Sequence, residues 1–162
     1  MTSHYSPLKG WPTMGERSVR IAVVVVNLFA ALSAFAGALG LVVGYMDIPV
    51  SELRGTPFAD FTVPALLLGF VVGGGALAAA LIALFGPHRI ALFEPLRFDA
   101  LVAAVAGSIM VGWMVVEIAM IGLDIWVQAL YFVVGLLMIG LAGLLQWAES
   151  HEISMSAVHH PA

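Results

Sequence analysis

The chain has 162 residues, of which 62% are hydrophobic and only 10% charged, with a formal net charge of −4 and no cysteine. A soluble domain is nearer half apolar and about a quarter charged, so this chain lacks a polar coat for water and is suited to lipid as its solvent. Six basic residues spread over loops and tails form no stripe that tracks phosphates, which argues against nucleic acid as a partner. The missing cysteine removes disulfides, thiolate metal sites and thiol nucleophiles.

Residues 1–20 read as a polar N-terminal tail in the cytoplasm, with Trp11 at headgroup level. Residues 21–46 form an uncharged apolar run long enough to cross a bilayer with tilt. A cleavable signal sequence is the rival reading, because Ala34-Phe35-Ala36 fits a cleavage pattern. Against it, the apolar run continues to Met46.

Residues 47–61 make a loop carrying Asp47, Glu52 and Asp60 against one basic residue, Arg54; Phe58 and Phe61 suit an interfacial position. Pro64 fits the first turn of the next helix, where its missing N–H costs nothing. The second span is predicted over 63–85 and closed by Gly86-Pro87. A second loop holds His88, Arg89, Glu94 and Arg97. Spans three and four are predicted over 100–123 and 125–147. Between them stand Gly122, a helix C-cap, and Asp124, an N-cap, so the two helices should form a tight antiparallel hairpin. Residues 148–162 read as a polar cytoplasmic tail.

The expected fold is therefore all-α: a polytopic membrane protein whose transmembrane domain, 21–147, is a four-helix bundle. Five basic residues, Lys9, Arg17, Arg20, Arg89 and Arg97, flank one side of the spans and only Arg54 the other, which predicts that both termini are cytoplasmic. Helices in lipid associate through small residues spaced by four. The candidate faces are Ala36, Gly40 and Gly44; Gly69 and Gly73; Gly75, Ala79 and Ala83; and Ala104, Ser108 and Gly112. Each suits packing within the bundle or docking of another subunit. Gly73 to Gly75 is the expected place for a kink or for very close approach of a neighbour.

Glu117 and Gln128 are the costliest polar groups in the apolar runs. Glu117 lies roughly 9 Å inside the end of its helix and should face the bundle. Trp113 and Gln128 are within its reach, the latter across the hairpin turn. The expected bond runs from the Gln128 amide to the Glu117 carboxyl. Two readings stay open: a carboxyl that pins the helices in register, or a site for a cation, proton or polar ligand near the outer surface. Arg54 would join it, pairing with Glu117 or Asp124, if the first loop folds back as a lid; a solvated acidic loop is the simpler alternative. Asn27 suits a hydrogen bond between helices. No histidine falls inside a span, so haem ligation is not expected, and His151, His159 and His160 in the tail are a weak metal site. No nucleophile–base pair, phosphate loop or carboxylate pair points to an enzyme.

The segments Gly55-Thr56-Pro57-Phe58-Ala59-Asp60-Phe61, GWMVVEIAMIG at 112–122 and WVQALYFVVGLL at 126–137 resemble a group of small bacterial four-helix membrane proteins without an assigned activity. The likeness spans about residues 30–145. Its most specific parts are Trp113 to Glu117 and Gln128 to Tyr131. It implies the four-helix architecture and a bacterial inner membrane, and no mechanism or cofactor. The expected function is that of a non-catalytic accessory or scaffold subunit, binding other membrane proteins or itself. The alternative is a small ligand or ion binder, or a transporter, built on Glu117 and Gln128 with Trp113, Asp124, Tyr131 and Arg54 around them.

Overall fold

A computed structural model describes residues 14–45, 48–86, 97–122 and 126–158, and all regular structure among them is helical. Four helices are long and apolar enough to cross a membrane. The N-terminal tail before residue 14, most of the second loop, Asp124 and the last four residues lie outside the described residues.

Helix α1, Met14–Val43, starts earlier than the apolar run does. Its polar first turns hold because Glu16 and Arg20 pair at i,i+4, 2.9 Å apart, and because both side chains reach charges on another helix. Gly44 ends it at φ 72°, and the Tyr45 N–H reaches back to the Gly40 carbonyl at 3.0 Å. That is the bond of a glycine-terminated helix whose next residue would be strained by a side chain. The chain then passes through a short 3₁₀ turn, Val50–Leu53, whose Leu53 is buried.

Helix α2 covers Thr62–Phe85. Asp60 Oδ1 accepts the Thr62 N–H at 2.8 Å and so closes one of the free donors at its start. Pro64 sits in the first turn. The stretch Leu67–Gly73 is π-helical, with the Gly74 N–H on the Gly69 carbonyl five residues back. The irregularity ends at Gly73, the first residue of the expected kink at Gly73 to Gly75, and is closed by Gly74. Gly69 and Gly73 lie in it against α1: a β-carbon on Gly73 would stand 3.1 Å from Phe35 and 3.3 Å from Ala34. A widened turn is tolerated where small residues let a neighbouring backbone fill the space.

Helix α3, Phe98–Ile121, ends at Gly122, whose φ is 83° and whose N–H meets the Ile118 carbonyl at 2.9 Å. Helix α4, Trp126–Val158, continues past Trp147 through residues expected as tail. The helices form a ring in which α1 touches α2 and α4, and α3 touches α2 and α4. The buried centre is dominated by alanines, among them Ala30, Ala34, Ala76, Ala79, Ala83, Ala103 and Ala106. Small side chains permit the close backbone approach that supplies cohesion when the surroundings are as apolar as the core.

The tightest crossing is between α3 and α4, at Gly107 and Gly135. A β-carbon on Gly107 would lie 2.9 Å from the Gly135 carbonyl oxygen, and one on Gly135 would lie 2.8 Å from Val111. The expected stripe of Ala104, Ser108 and Gly112 is rotated out of this contact: Ser108 is exposed, donating to the Ala104 carbonyl, and Gly112 faces open space. Spacing by four marks two faces of a small-rich helix equally well, and packing against Met138 and Ile139 selected the other one. Outward, the bundle shows large apolar side chains such as Leu32, Leu39, Phe70, Phe85 and Val133, as lipid contact requires.

Candidate functional site: a cavity at the loop end of the bundle

At the end where the 48–61 loop crosses the bundle, the four helices part around a cavity of about 650 Å³. Its walls come from all four helices and from the loop: Gly37 and Leu41 on α1, Pro64 and Leu68 on α2, Met110, Met114 and Met120 on α3, Val127 and Tyr131 on α4. Ile48, Leu53 and Phe61 cover it from the loop. The space exists because α1 presents Ser33, Ala36, Gly37 and Gly40 here, where larger side chains would fill it. Ala36, in the apolar span of α1, lines the cavity and has accessible surface. Phe29 on α1 and Tyr131 on α4 stack with ring centroids 6.3 Å apart, tying these helices together beside the cavity.

Glu117 reaches this cavity half-buried. Trp113 Nε1, one turn earlier on α3, donates to Glu117 Oε2 at 2.9 Å. Gln128 Nε2, on α4, donates to Glu117 Oε1 at 3.4 Å. The first bond has ordinary length; the second is at the long limit, so Trp113 is the stronger anchor. Both carboxyl oxygens act as acceptors, and no basic side chain pairs with Glu117 among the described residues. Gln128 is only 1% exposed, and its Oε1 has no hydrogen-bond partner among the described residues. A buried acceptor left open costs about 1–3 kcal/mol.

The structure thus brings together Glu117, Gln128, Trp113 and Tyr131 around one space. Arg54 is not among them. It is exposed and lines a separate, smaller hollow with Thr56, Pro57, Val116 and Ala119. The loop does fold back, but Leu53 is the residue it inserts, at 4% exposure. An apolar side chain covers an apolar cavity at no desolvation cost, whereas a guanidinium there would have to leave water. Asp124 lies outside the described residues, as do His88, His159 and His160. Asn27 does not bond between helices: its Nδ2 donates to the Val23 carbonyl of its own helix at 2.8 Å, and its buried Oδ1 has no partner among the described residues.

The opposite end holds a polar cluster that sequence reasoning treated only as loop charge. Arg97, 3% exposed, meets the fully buried Asp99 through two bonds, Nε to Oδ1 at 3.1 Å and Nη2 to Oδ2 at 2.9 Å. Its Nη1 donates to Glu16 Oε1 at 2.8 Å, and its backbone N–H donates to Gln146 Oε1 at 2.9 Å. Arg20 completes the group, 2.9 Å from Glu16 and 3.7 Å from Asp99. Burial works against the charge on Arg97, but Asp99 and Glu16 outweigh it and hold its pKa above the ordinary guanidinium value. Two cations and two carboxylates balance here across α1 and α3, with Gln146 joining α4. The signal for it was present in Glu16 and Arg20 at i,i+4 and in Asp99 at a helix start two residues after an arginine. Nothing in the local pattern shows that α1 and α3 bring these pairs to the same place. Comparison with known proteins finds no matching family model, no curated protein and no solved structure of significant similarity.

Proposed function

We propose that this protein is a non-catalytic membrane protein that binds a small amphiphilic ligand in the loop-end cavity. One observation carries the reading: a space of about 650 Å³, walled by apolar side chains, in which Glu117 and Gln128 stand as convergent polar groups. That volume is within the roughly 300–1,000 Å³ of small-molecule sites, and the pattern of apolar wall with few fixed polar groups is the usual one. A carboxyl needed only to hold α3 and α4 in register requires no space beside it. The excess of Lys and Arg on the side of residues 9, 17, 20, 89 and 97 supports a cavity in the outer leaflet with both termini cytoplasmic, and the resemblance to small bacterial membrane proteins implies that the membrane is a bacterial inner membrane.

The test is native mass spectrometry of the full chain, purified gently from its own membranes. A bound small molecule that disappears in an Ala36→Trp variant, which adds bulk at the cavity wall, is the expected result. Empty protein in every preparation would overturn the reading. The accessory-subunit expectation has one observation in its favour, the exposed Ser108 and Gly112 face of α3. Its mark would be crosslinking from Gly112→Cys to a second membrane protein or a second copy of this chain.

A further inference from the structure

We infer that the ligand of this cavity is a lipophilic amine, an apolar body ending in an ammonium group. The inference rests on the ligand-binding reading and adds the chemistry of the head group. Three features of the cavity wall select that chemistry.

The first is Glu117. It brings a carboxylate to an apolar space, and no basic side chain pairs with it among the described residues. Arg54, the one basic residue of the covering loop, lines a different hollow. An unpaired anion beside apolar walls is costly, and a ligand cation offsets that cost where a neutral head group does not. The second is the acceptor capacity of Glu117: its two oxygens take one bond each, from Trp113 and Gln128, and retain further lone pairs, while an ammonium carries three N–H bonds and no acceptor. Gln128 Oε1, sealed behind the cavity surface, is not a contact for the head group. A carboxylate head group would stand against the Glu117 carboxylate, and a hydroxyl would bring a single proton where an ammonium brings three. The third is the aromatic content of the wall: Trp113, Tyr131 and Phe61 line the cavity, and aromatic faces attract cations.

The access route fits the apolar half of such a molecule. Ala36 is exposed and belongs both to the cavity and to the membrane-spanning part of α1. It stands roughly 10 Å inside the end of that helix. Entry from the side, past Ala36, would keep the chain of a single-chain amphiphile in apolar surroundings throughout.

The experiment is a competition for the full-length protein in phosphatidylcholine nanodiscs, read by native mass spectrometry. The probes are dodecylamine, 1-dodecanol and dodecanoate, equal in chain and different in head. Dodecylamine should occupy the wild-type protein at least tenfold more tightly than either rival. Glu117→Gln should abolish that preference, bringing dodecylamine to within about twofold of dodecanol. Gln128→Leu, which keeps the carboxylate, should reduce the preference by a smaller factor and provides the readout if the first variant does not fold. Equal binding of all three probes would overturn the amine inference and leave the cavity reading standing. No binding of any probe would overturn both. An amine preference that survives in Glu117→Gln would overturn the role given to the carboxylate. Repeating the titration in phosphatidylethanolamine discs separates the sources of the ammonium. A weakened dodecylamine response there supports a lipid headgroup as the occupant, and an unchanged one supports a free amine.

Discussion

At the Arg97 end of the bundle, two arginines, two carboxylates and an amide close on one another. Asp99 is fully buried with both oxygens bonded to Arg97. At the loop end, a single carboxylate and a single amide stand at the wall of a cavity, joined by a 3.4 Å bond, with one amide oxygen unserved among the described residues. Both ends place polar groups in an apolar chain, and both incur desolvation. The difference is in how it is offset. The Arg97 cluster pairs each of its charges, among the described residues, with an opposite one from the fold itself, which is the arrangement of a structural clamp. The Glu117 site is neither balanced nor filled, and it has room beside it. That contrast, a carboxyl group at the wall of a cavity rather than within a closed cluster, is what the ligand-binding proposal builds on.

Breaking the clamp should have the largest effect. Arg97→Leu takes from buried Asp99 the guanidinium that bonds both its oxygens and cuts the tie to Glu16, and loss of one partner of a buried pair costs about 3–5 kcal/mol. We expect the lower part of that range, since Arg20 remains, measured as a lowered unfolding midpoint in detergent. Amphiphile binding by the folded fraction should be unchanged, because no Arg97 atom lines the cavity. If binding failed with the fold intact, the two ends would not be independent.

A smaller effect is expected at the other end. Gln128→Leu removes the long bond to Glu117 and the unserved oxygen together. Replacing both with apolar surface should change stability by less than about 1 kcal/mol, because hydrogen bonds between helices in membranes average only about 0.6 kcal/mol. A loss as large as that of Arg97→Leu would make the Glu117 site a second clamp and undo the contrast.

The smallest effect concerns the loop that covers the cavity. Asp60 accepts hydrogen bonds from Thr62, and these hold its carboxyl below the ordinary aspartate pKa. A folded-state pKa below the unfolded value means that the stabilisation is complete above the unfolded pKa and is lost as pH falls through the folded one. Hydrogen exchange at the start of α2 should therefore quicken only in strongly acidic solution, and Asp60→Asn should flatten that dependence.

Much of the architecture was legible because it follows from one-dimensional signals. Apolar runs of bilayer length marked the four helices, and Gly122 and Pro64 fell at helix ends for reasons that lie within a few residues. Trp113, Glu117 and Gln128 were legible as a group because a helical turn and a tight hairpin bring them close without help from the rest of the chain. Three features were not legible. The start of α1 at Met14 depends on Glu16 and Arg20 meeting partners on α3, far along the chain. Which small residues of α3 form the crossing depends on the rotation of that helix, and Gly107 was chosen over Ser108 and Gly112. The place of Leu53 rather than Arg54 over the cavity depends on the conformation of a loop with no periodic pattern.

The amino-acid order by itself determined that this is a chain of four apolar helices with an acid and an amide near one hairpin, because helix formation and hairpin closure are local and lipid compatibility is compositional. Only the tertiary structure decided that Arg97 and Asp99 would be sealed while Glu117 would open onto space. Charge pairing and empty volume are properties of several helices at once, set by where small side chains on one rod leave room that no neighbour fills.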